Sequence, residues 1–201
     1  MVKKFLWFFS LVPMVFLLTS CGPIKTPPSS SYLISNLNLG KMPTTAKTNL
    51  TLLVSNPIAN SGYQTSAMIY MITPYELKVF SNNRWVAPPA QMLLPIIVQA
   101  LREQGYFYAV VAPPFSGLTN YRLDTQLIKL QQEFLLPTSR VRLVMQATLI
   151  SNVSNKVVAT RLFEAMVSAP ANNPYSGVLA ANQAASMISQ AIARFSVSHT
   201  H

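Results

Sequence analysis

The sequence has little of the chemistry on which most enzymes depend. It contains one cysteine, Cys21, so no disulfide bond can form within the chain. The only histidines, His199 and His201, lie at the very end of the sequence. A Ser-His or Cys-His catalytic set therefore has no histidine within the predicted helices and strands. The six glycines are isolated, and no glycine-rich phosphate-binding loop is present. Nucleophilic and phosphate chemistry are therefore not expected.

Acidic residues are also scarce. Charged residues make up only 10% of the chain, against about a quarter in an average soluble protein. The acids are widely spaced, and none forms a paired motif for general acid–base catalysis: Glu76, Glu103, Asp124, Glu133 and Glu164. We therefore expect no enzyme activity, no metal site and no bound cofactor. The histidines at 199 and 201 are the weak alternative for a metal.

Basic residues outnumber acidic ones, 15 to 5, which gives a formal net charge of +10. Removal of Lys3 and Lys4 with an N-terminal signal lowers this charge to about +8. Such a surface suits anionic lipid headgroups or an acidic partner protein. Apart from Arg140 and Arg142, the basic residues are scattered singly, with no basic run that contains interleaved aromatic residues. We therefore expect no nucleic acid partner.

Residues 1–20 have the pattern of a secretory signal peptide. Lys3 and Lys4 form a short positive segment, and the mostly apolar stretch 5–18 follows it. That stretch is too short to cross a bilayer comfortably, since a membrane-spanning helix takes about 20 residues. The pattern predicts an exported protein whose first segment is removed.

The end of this segment resembles the bacterial lipobox: Leu18, Thr19 and Ser20 precede Cys21 and Gly22. Small residues let the scissile backbone sit close in the cleft of the lipoprotein signal peptidase. The Cys21 thiol would take an S-diacylglycerol group, and its freed amine an N-acyl chain such as palmitate. Two or more acyl chains anchor a protein stably to a membrane. An ordinary signal peptide with an incidental cysteine is the alternative. By resemblance to the bacterial sorting rule, Gly22 implies the outer membrane, with the protein facing the periplasm.

The segment after the lipobox, 21–31, predicts a lipidated flexible tether, because it is rich in proline and serine. Residues 32–201 predict a single α+β domain: a mixed or antiparallel sheet with two main helices on one face. The predicted strands cover 32–39, 50–54, 68–73, 77–81, 84–86, 107–111, 121–136, 140–150 and 157–167. The last of these is expected to be a central strand, because both of its faces are largely apolar.

Two features of the strands carry specific predictions. Apolar residues stand at odd positions up to Leu127 and at even positions from Ile128 onward, which predicts a β-bulge between them. Asn82-Asn83 separates two strand-like runs, and asparagine tolerates positive φ, so this pair predicts a tight turn.

The two helices are predicted from apolar residues at three- and four-residue spacing. The first ends at Gly105 and begins close to Pro95, or is kinked there, because an interior proline removes a hydrogen bond. The second has Ser176 as its N-cap. Its buried stripe is Val178, Ala181, Ala185, Ile188, Ile192 and Phe195. The tail 196–201 is expected to be frayed.

One short segment predicts a docking patch. Arg84 and Trp85 follow the predicted turn, and Pro88-Pro89 keeps the strand short, as expected near an edge of the sheet. Arginine and aromatic residues dominate protein interfaces, so the pair suits a partner or self-association into a homo-oligomeric ring. The alternative is that Trp85 is a core residue.

Taken together, several segments resemble one known family, the ABC-type transport auxiliary lipoproteins of the PqiC-like group. The segments that carry the resemblance are MIY at 68–70, PYEL at 74–77, NRWVAPPAQML at 83–93, GYFYAV at 105–110, YRL at 121–123 and FEA at 163–165. The resemblance covers nearly the whole chain after the tether, about residues 32–195, and the tryptophan–proline stretch is its most specific part.

The resemblance implies an auxiliary role in intermembrane lipid transport. Such lipoproteins serve systems in which an inner-membrane ABC transporter works with MCE-domain proteins that carry lipids across the periplasm. The protein would dock or receive the MCE assembly at the outer membrane. Its expected partners are an MCE-domain protein and the ABC transporter components. A structural or assembly lipoprotein of the outer membrane without a transport role, and a periplasmic hydrolase, are the alternatives.

Overall fold

The structure is a computed structural model, and it describes residues 28–35 and 47–200. Nine strands and two helices follow one another in this part of the chain. Their bounds are β1 Ser30–Tyr32, β2 Thr51–Val54, β3 Ile58–Ala59, β4 Ala67–Met71, β5 Lys78–Trp85, α1 Pro89–Glu103, β6 Ala109–Val111, β7 Tyr121–Glu133, β8 Arg140–Ser151, β9 Lys156–Ser168 and α2 Pro174–Ser198. The strands form a single mixed sheet, and both helices pack on one of its faces. The predicted α+β class is confirmed.

The predicted signal peptide and Cys21 lie outside the described residues, as does most of the predicted tether. The tether was expected to reach residue 31, but Ser30 and Ser31 already belong to strand β1. The first strand was expected over 32–39. It ends at Tyr32, and residues 33–35 continue without strand structure.

Strand β7 organises the sheet. Along one side it pairs antiparallel with β8, and β8 pairs antiparallel with β9. Along its other side, β7 pairs with three different strands. The first half of β7 pairs in parallel with β2 and β3, and its last residues pair in parallel with β4. Strand β6 lies beyond β2, while β5 and then β1 lie beyond β4. The long strand thus joins two smaller groups of strands at opposite ends of the molecule.

The predicted bulge is present in β7. The register against β8 shifts between Leu127 and Lys129, so that Ile128 is the extra residue. Because the side chains of a strand alternate, this one-residue insertion lets Leu127 and Leu130 point to the same face. Both are buried beneath the helices, at 0% and 3% exposure.

Strand β9 is an edge strand, so the prediction of a central strand was wrong. Among the described residues it pairs only with β8. One side of it, which includes Phe163, is buried under helix α2, whereas Leu162 and Met166 on the other side are 57% and 38% exposed. Apolar residues on both faces of this strand therefore do not reflect burial of both faces.

Helix α1 begins at Pro89, one and a half turns before the position predicted from Pro95. Proline suits the first turn of a helix, because the backbone N–H it lacks has no partner there. Pro95 lies inside the helix on its exposed side, and so does Gln91, whose carbonyl loses its usual hydrogen bond to residue 95. Water can satisfy that carbonyl, and the helix continues.

Helix α2 starts at Pro174, and its N-cap is Asn173 rather than Ser176. The Asn173 side-chain oxygen accepts a hydrogen bond of 2.8 Å from the backbone N–H of Ser176. The predicted apolar stripe of this helix is buried. The tail is ordered as far as the structure describes it, because Thr200 is 2% exposed and its carbonyl accepts a hydrogen bond from Tyr106 Oη.

Candidate docking surfaces

The predicted docking patch is not assembled as one surface. Strand β5 runs without a turn through Asn82-Asn83, and it lies between β1 and β4 rather than at an edge. Trp85 is 5% exposed and belongs to the hydrophobic core. The core alternative for Trp85 therefore describes the structure.

The remaining members of that patch are divided between the surface and the interior. Arg84 is exposed, and its Nε donates a hydrogen bond of 3.2 Å to Ser31 Oγ in the neighbouring strand β1. Pro88 is half-buried. Pro89 is buried as the first residue of α1.

An unpaired strand edge is the strongest interaction feature in the described residues. Strand β9 is 13 residues long, and within this part of the chain its outer side has no neighbouring strand. Exposed apolar side chains accompany it: Val157, Val158, Leu162 and Met166. Soluble proteins usually protect long edges with charges, prolines or covering segments, because the free N–H and C=O groups recruit other strands. We call residues 156–168 the edge surface. The sequence feature that indicates this surface is the presence of apolar residues on both faces of one strand.

The charged residues beside this edge form a network on the sheet face that the helices leave open. Glu133 on β7 is only 3% exposed, and its carboxylate accepts a hydrogen bond of 2.7 Å from Arg142 Nε. Arg140 Nε lies 3.6 Å from the same carboxylate, and Gln131 Nε2 donates to it at 2.9 Å. Arg142 also contacts Glu164 on β9. Strands β7, β8 and β9 are thereby tied together next to the free edge.

The environment of Glu133 holds it in the ionised form. Burial alone would raise its pKa. The hydrogen bonds from Arg142 and Gln131 outweigh burial, together with the charges of Arg142 and Arg140, and hold the pKa of Glu133 below its ordinary value. Burial and the nearby Glu133 charge raise the pKa of Tyr63, whose hydroxyl donates to Gln131 Oε1 at 2.5 Å.

Because folding lowers the pKa of Glu133, the network stabilises the native state above the ordinary carboxyl pKa of about 4.5, and this stabilisation is lost as the pH falls below it. We expect Glu133→Gln to lower the free energy of unfolding at pH 7 by about 2 kcal/mol, the size of a charged hydrogen-bond network that keeps some solvent contact. The difference between variant and wild type should shrink toward pH 3. Urea unfolding at several pH values measures this.

Asp124→Asn provides the matched control. Asp124 and Arg122 form an ion pair whose side chains are both 41% exposed, so its loss should cost less than about 1 kcal/mol at any pH. An equal loss of stability in both variants, or a Glu133→Gln effect that does not depend on pH, contradicts the role assigned to the buried carboxylate.

A second exposed apolar site lies at the opposite end of the sheet from the β7–β8 turn. Leu118 is 99% exposed and Val153 is 83% exposed, and they line one groove. Hydrogen bonds hold both loops in place: Asn120 Oδ1 accepts from the Thr51 N–H at 2.8 Å, and Asn152 Nδ2 donates to Thr119 Oγ1 at 2.8 Å. We call this site the loop surface.

The described residues contain no group of three or more histidine, cysteine, aspartate or glutamate side chains placed to hold a metal. Four of the five carboxylates are engaged in ion pairs: Glu76, Asp124, Glu133 and Glu164. The carboxylate of Glu103 accepts a hydrogen bond of 2.9 Å from Gln99. Over residues 28–35 and 47–200, no helix is long and apolar enough to span a membrane.

Comparison with solved structures supports the fold. A Xanthomonas campestris protein of the DUF330 family superimposes with a TM-score of 0.70 at 18% identity, covering 86% of this chain and 94% of that one. An uncharacterized protein gives a TM-score of 0.68 at 16% identity, with 84% and 99% coverage. The lipoprotein GNA1162 from Neisseria meningitidis is more distant, with a TM-score of 0.41 at 10% identity over 73% and 97% of the two chains.

Comparison with curated protein sequences found no match. The family comparison is decisive, because the profile of the ABC-type transport auxiliary lipoprotein component matches residues 32–193, which include helix α1, most of helix α2 and strands β2 to β9. The chain therefore belongs to the family of ABC-type transport auxiliary lipoproteins, membrane-anchored proteins that work with partner transport proteins.

Proposed function

We propose that the protein is anchored in the outer membrane through acylated Cys21 and serves an MCE/ABC-type intermembrane lipid transport system from the periplasmic side. In this role it docks or receives the MCE assembly through the edge surface. The family supports a transport partner, and the lipobox with Gly22 supports the outer membrane. The identification of the partner as an MCE-domain protein rests on the sequence resemblance.

The observation that carries the proposal is the unpaired edge of β9. Thirteen residues at about 3.3 Å each give an edge of roughly 40 Å, long enough to pair with an extended segment of a partner. Main-chain hydrogen bonds would supply affinity there. The exposed side chains of Leu162 and Met166 lie on one face of the strand and would supply specificity.

Charge favours a partner from the transport system over a second copy of this chain. Without Lys3 and Lys4 the mature chain has a net charge of about +8, and two such molecules repel each other. Lys156 and Arg161 are exposed on β9, and the one acid of the strand, Glu164, is paired with Arg142, so an extended segment with acidic side chains fits the edge best. A homo-oligomeric ring remains a prediction, and sedimentation of the mature protein tests it.

The proposal includes no catalytic step. The carboxylates of the described residues form ion pairs with lysine and arginine side chains or accept a hydrogen bond from a glutamine amide. These contacts stabilise the fold. A screen for esterase and glycosidase activity tests this part. A structural lipoprotein of the outer membrane without a transport role remains the second candidate, and the absence of MCE and ABC subunits from the purified complex would favour it.

Leu162→Glu should weaken capture of the MCE-domain partner by about 30-fold or more, the effect of losing an interface anchor worth about 2 kcal/mol. The glutamate removes apolar contact and repels acidic side chains. Because Leu162 is 57% exposed, stability should be unchanged. Pull-down of the purified partner by the mature protein measures capture, with thermal melting in parallel.

Val86→Glu is the matched control, since Val86 is 55% exposed and lies outside β9. Its capture should equal that of the wild type. Leu118→Glu tests the loop surface in the same assay. Loss of capture in Leu118→Glu with normal capture in Leu162→Glu would move docking to the loop surface and overturn the assignment to the edge.

A further inference from the structure

The direction in which the chain enters the domain bears on which end of the sheet lies nearest the lipid anchor. Strand β1 pairs in parallel with β5, with Ser30 opposite Asn83. The N-terminal end of β1 therefore points toward the first residue of β5, Lys78, which follows the connection between β4 and β5. Asn83 and Lys78 are separated by five residues, or about 17 Å along the strand.

The tether is short compared with this distance. Nine residues separate Cys21 from Ser30, and a fully extended chain of that length spans about 30 Å. When the tether is stretched along the direction of β5, an anchored Cys21 lies about 13 Å beyond the Lys78 end, and this end of the sheet is then the one that faces the bilayer.

Two connections lie side by side at this end. Residues 72–77 join β4 to β5, and residues 134–139 join β7 to β8. They are neighbours because Met71 pairs with Glu133, and the Phe134 N–H donates a hydrogen bond of 2.8 Å to the Met71 carbonyl. Together they expose a set of apolar side chains, which we call the anchor-end patch: Ile72, Tyr75, Leu77, Leu135 and Leu136.

The backbone that carries the patch is held in place. Asn172 accepts a hydrogen bond of 2.7 Å from the Ser139 N–H and donates one of 2.8 Å to the Pro137 carbonyl. Beneath the patch, the rings of Tyr70 and Phe80 stack with centroids 4.3 Å apart, and the ring of Phe134 meets that of Tyr70 edge-on at 6.1 Å. Tertiary contacts therefore hold both connections that carry the exposed side chains.

Tyr75 is the most unusual residue of the patch. Its φ is +68°, a left-handed conformation that is uncommon for residues other than glycine and asparagine, and its side chain is 100% exposed. The turn would accept glycine or asparagine more readily, and the ring contributes nothing to the core. An aromatic ring that carries a hydroxyl group matches the membrane–water interface, where tyrosine is enriched.

We propose that the anchor-end patch rests in the headgroup layer of the bilayer, so that the domain stands on the membrane by this end. The proposal rests on the acylation of Cys21 proposed above. A lipid surface fits better than a charged partner, because the ion pair of Lys78 with Glu76 leaves the turn without net charge.

The natural tryptophan content allows a direct test. The chain has two tryptophans, of which Trp7 lies in the signal peptide and Trp85 is buried. Tyr75→Trp in the mature acylated protein therefore places an exposed tryptophan in the patch. Bound to phosphatidylethanolamine–phosphatidylglycerol vesicles with brominated acyl chains, this variant should lose about half of its added fluorescence. Leu118→Trp at the opposite end, as the control, should lose none.

The outcomes separate the patch from the anchor. If both variants bind vesicles and neither is quenched, the protein is anchored but the patch does not touch lipid, and the inference is wrong. Quenching of Leu118→Trp alone would show that the opposite end of the domain faces the membrane, and it would overturn the inference as well. If neither variant binds vesicles, the anchoring itself fails. If Tyr75→Ser loses capture of the MCE-domain protein while Tyr75→Trp stays unquenched, the patch is a protein contact instead.

Discussion

Trp85→Ala should lower the free energy of unfolding by about 3–5 kcal/mol, because it removes a large aromatic side chain from a packed interior. Trp85 is 5% exposed, and with Met68, Phe80 and Val141 it lines a small cavity between β4, β5 and the central strands. The melting temperature of a domain of this size should fall by about 10 °C. Differential scanning calorimetry of the mature protein measures both quantities.

The same substitution distinguishes the two interpretations of this residue. Since Trp85 is in the core, the folded fraction of Trp85→Ala at low temperature should still capture the transport partner normally. Arg84→Ala, the neighbouring exposed position, should change stability by less than about 0.5 kcal/mol. A stable Trp85→Ala variant that fails to capture the partner would restore the interface role and contradict the packing described here.

Cys21→Ala should abolish acylation completely. The substitution removes the only thiol of the chain, which is the group predicted to accept the S-diacylglycerol lipid. Without that lipid the precursor should not be cleaved by the lipoprotein signal peptidase, and it should retain residues 1–20. Without its acyl chains, the protein also loses the contacts that hold a lipoprotein on the outer membrane, and only the retained apolar stretch 5–18 can hold it on a bilayer. Mass spectrometry of the N-terminus and membrane fractionation measure the two effects.

Gly22→Asp is the informative companion variant. It should leave acylation intact and move the protein from the outer to the inner membrane, if the sorting rule implied by Gly22 applies. An unmodified Cys21 in the wild-type mature protein, or cleavage at another residue, would contradict the lipidation of this chain.

The hydrophobic pattern predicted most of the architecture because the elements are regular. Alternation within 140–150 and the change of parity at Leu127-Ile128 are local properties, and they predicted strand β8 and the bulge in β7. The apolar stripe of α2 was also readable, since its residues recur at helical spacing and all are buried. These predictions needed no knowledge of which elements are neighbours.

The errors arose where tertiary neighbours decide the structure. The Asn82-Asn83 pair suits a turn locally, and the register between β5 and β4 is indeed irregular between Val79 and Arg84. Because β1 pairs with Asn83 on the other side, the chain nevertheless continues as a strand. Strand β9 has apolar residues on both faces, as a central strand has, and the proposed pairing with a partner segment would account for this composition. The sequence could not show whether the neighbour belongs to the same chain.

The central claim is that β9 takes an extended segment of a transport partner. The most direct measurement places a photo-crosslinking amino acid at Leu162 of the full-length, membrane-anchored protein in cells and identifies the covalent product by mass spectrometry. The account predicts a crosslink to an MCE-domain protein, and none from the same amino acid at Val86, which is similarly exposed outside β9. A product formed only with a second copy of this chain, or formed at Leu118 and not at Leu162, would contradict it.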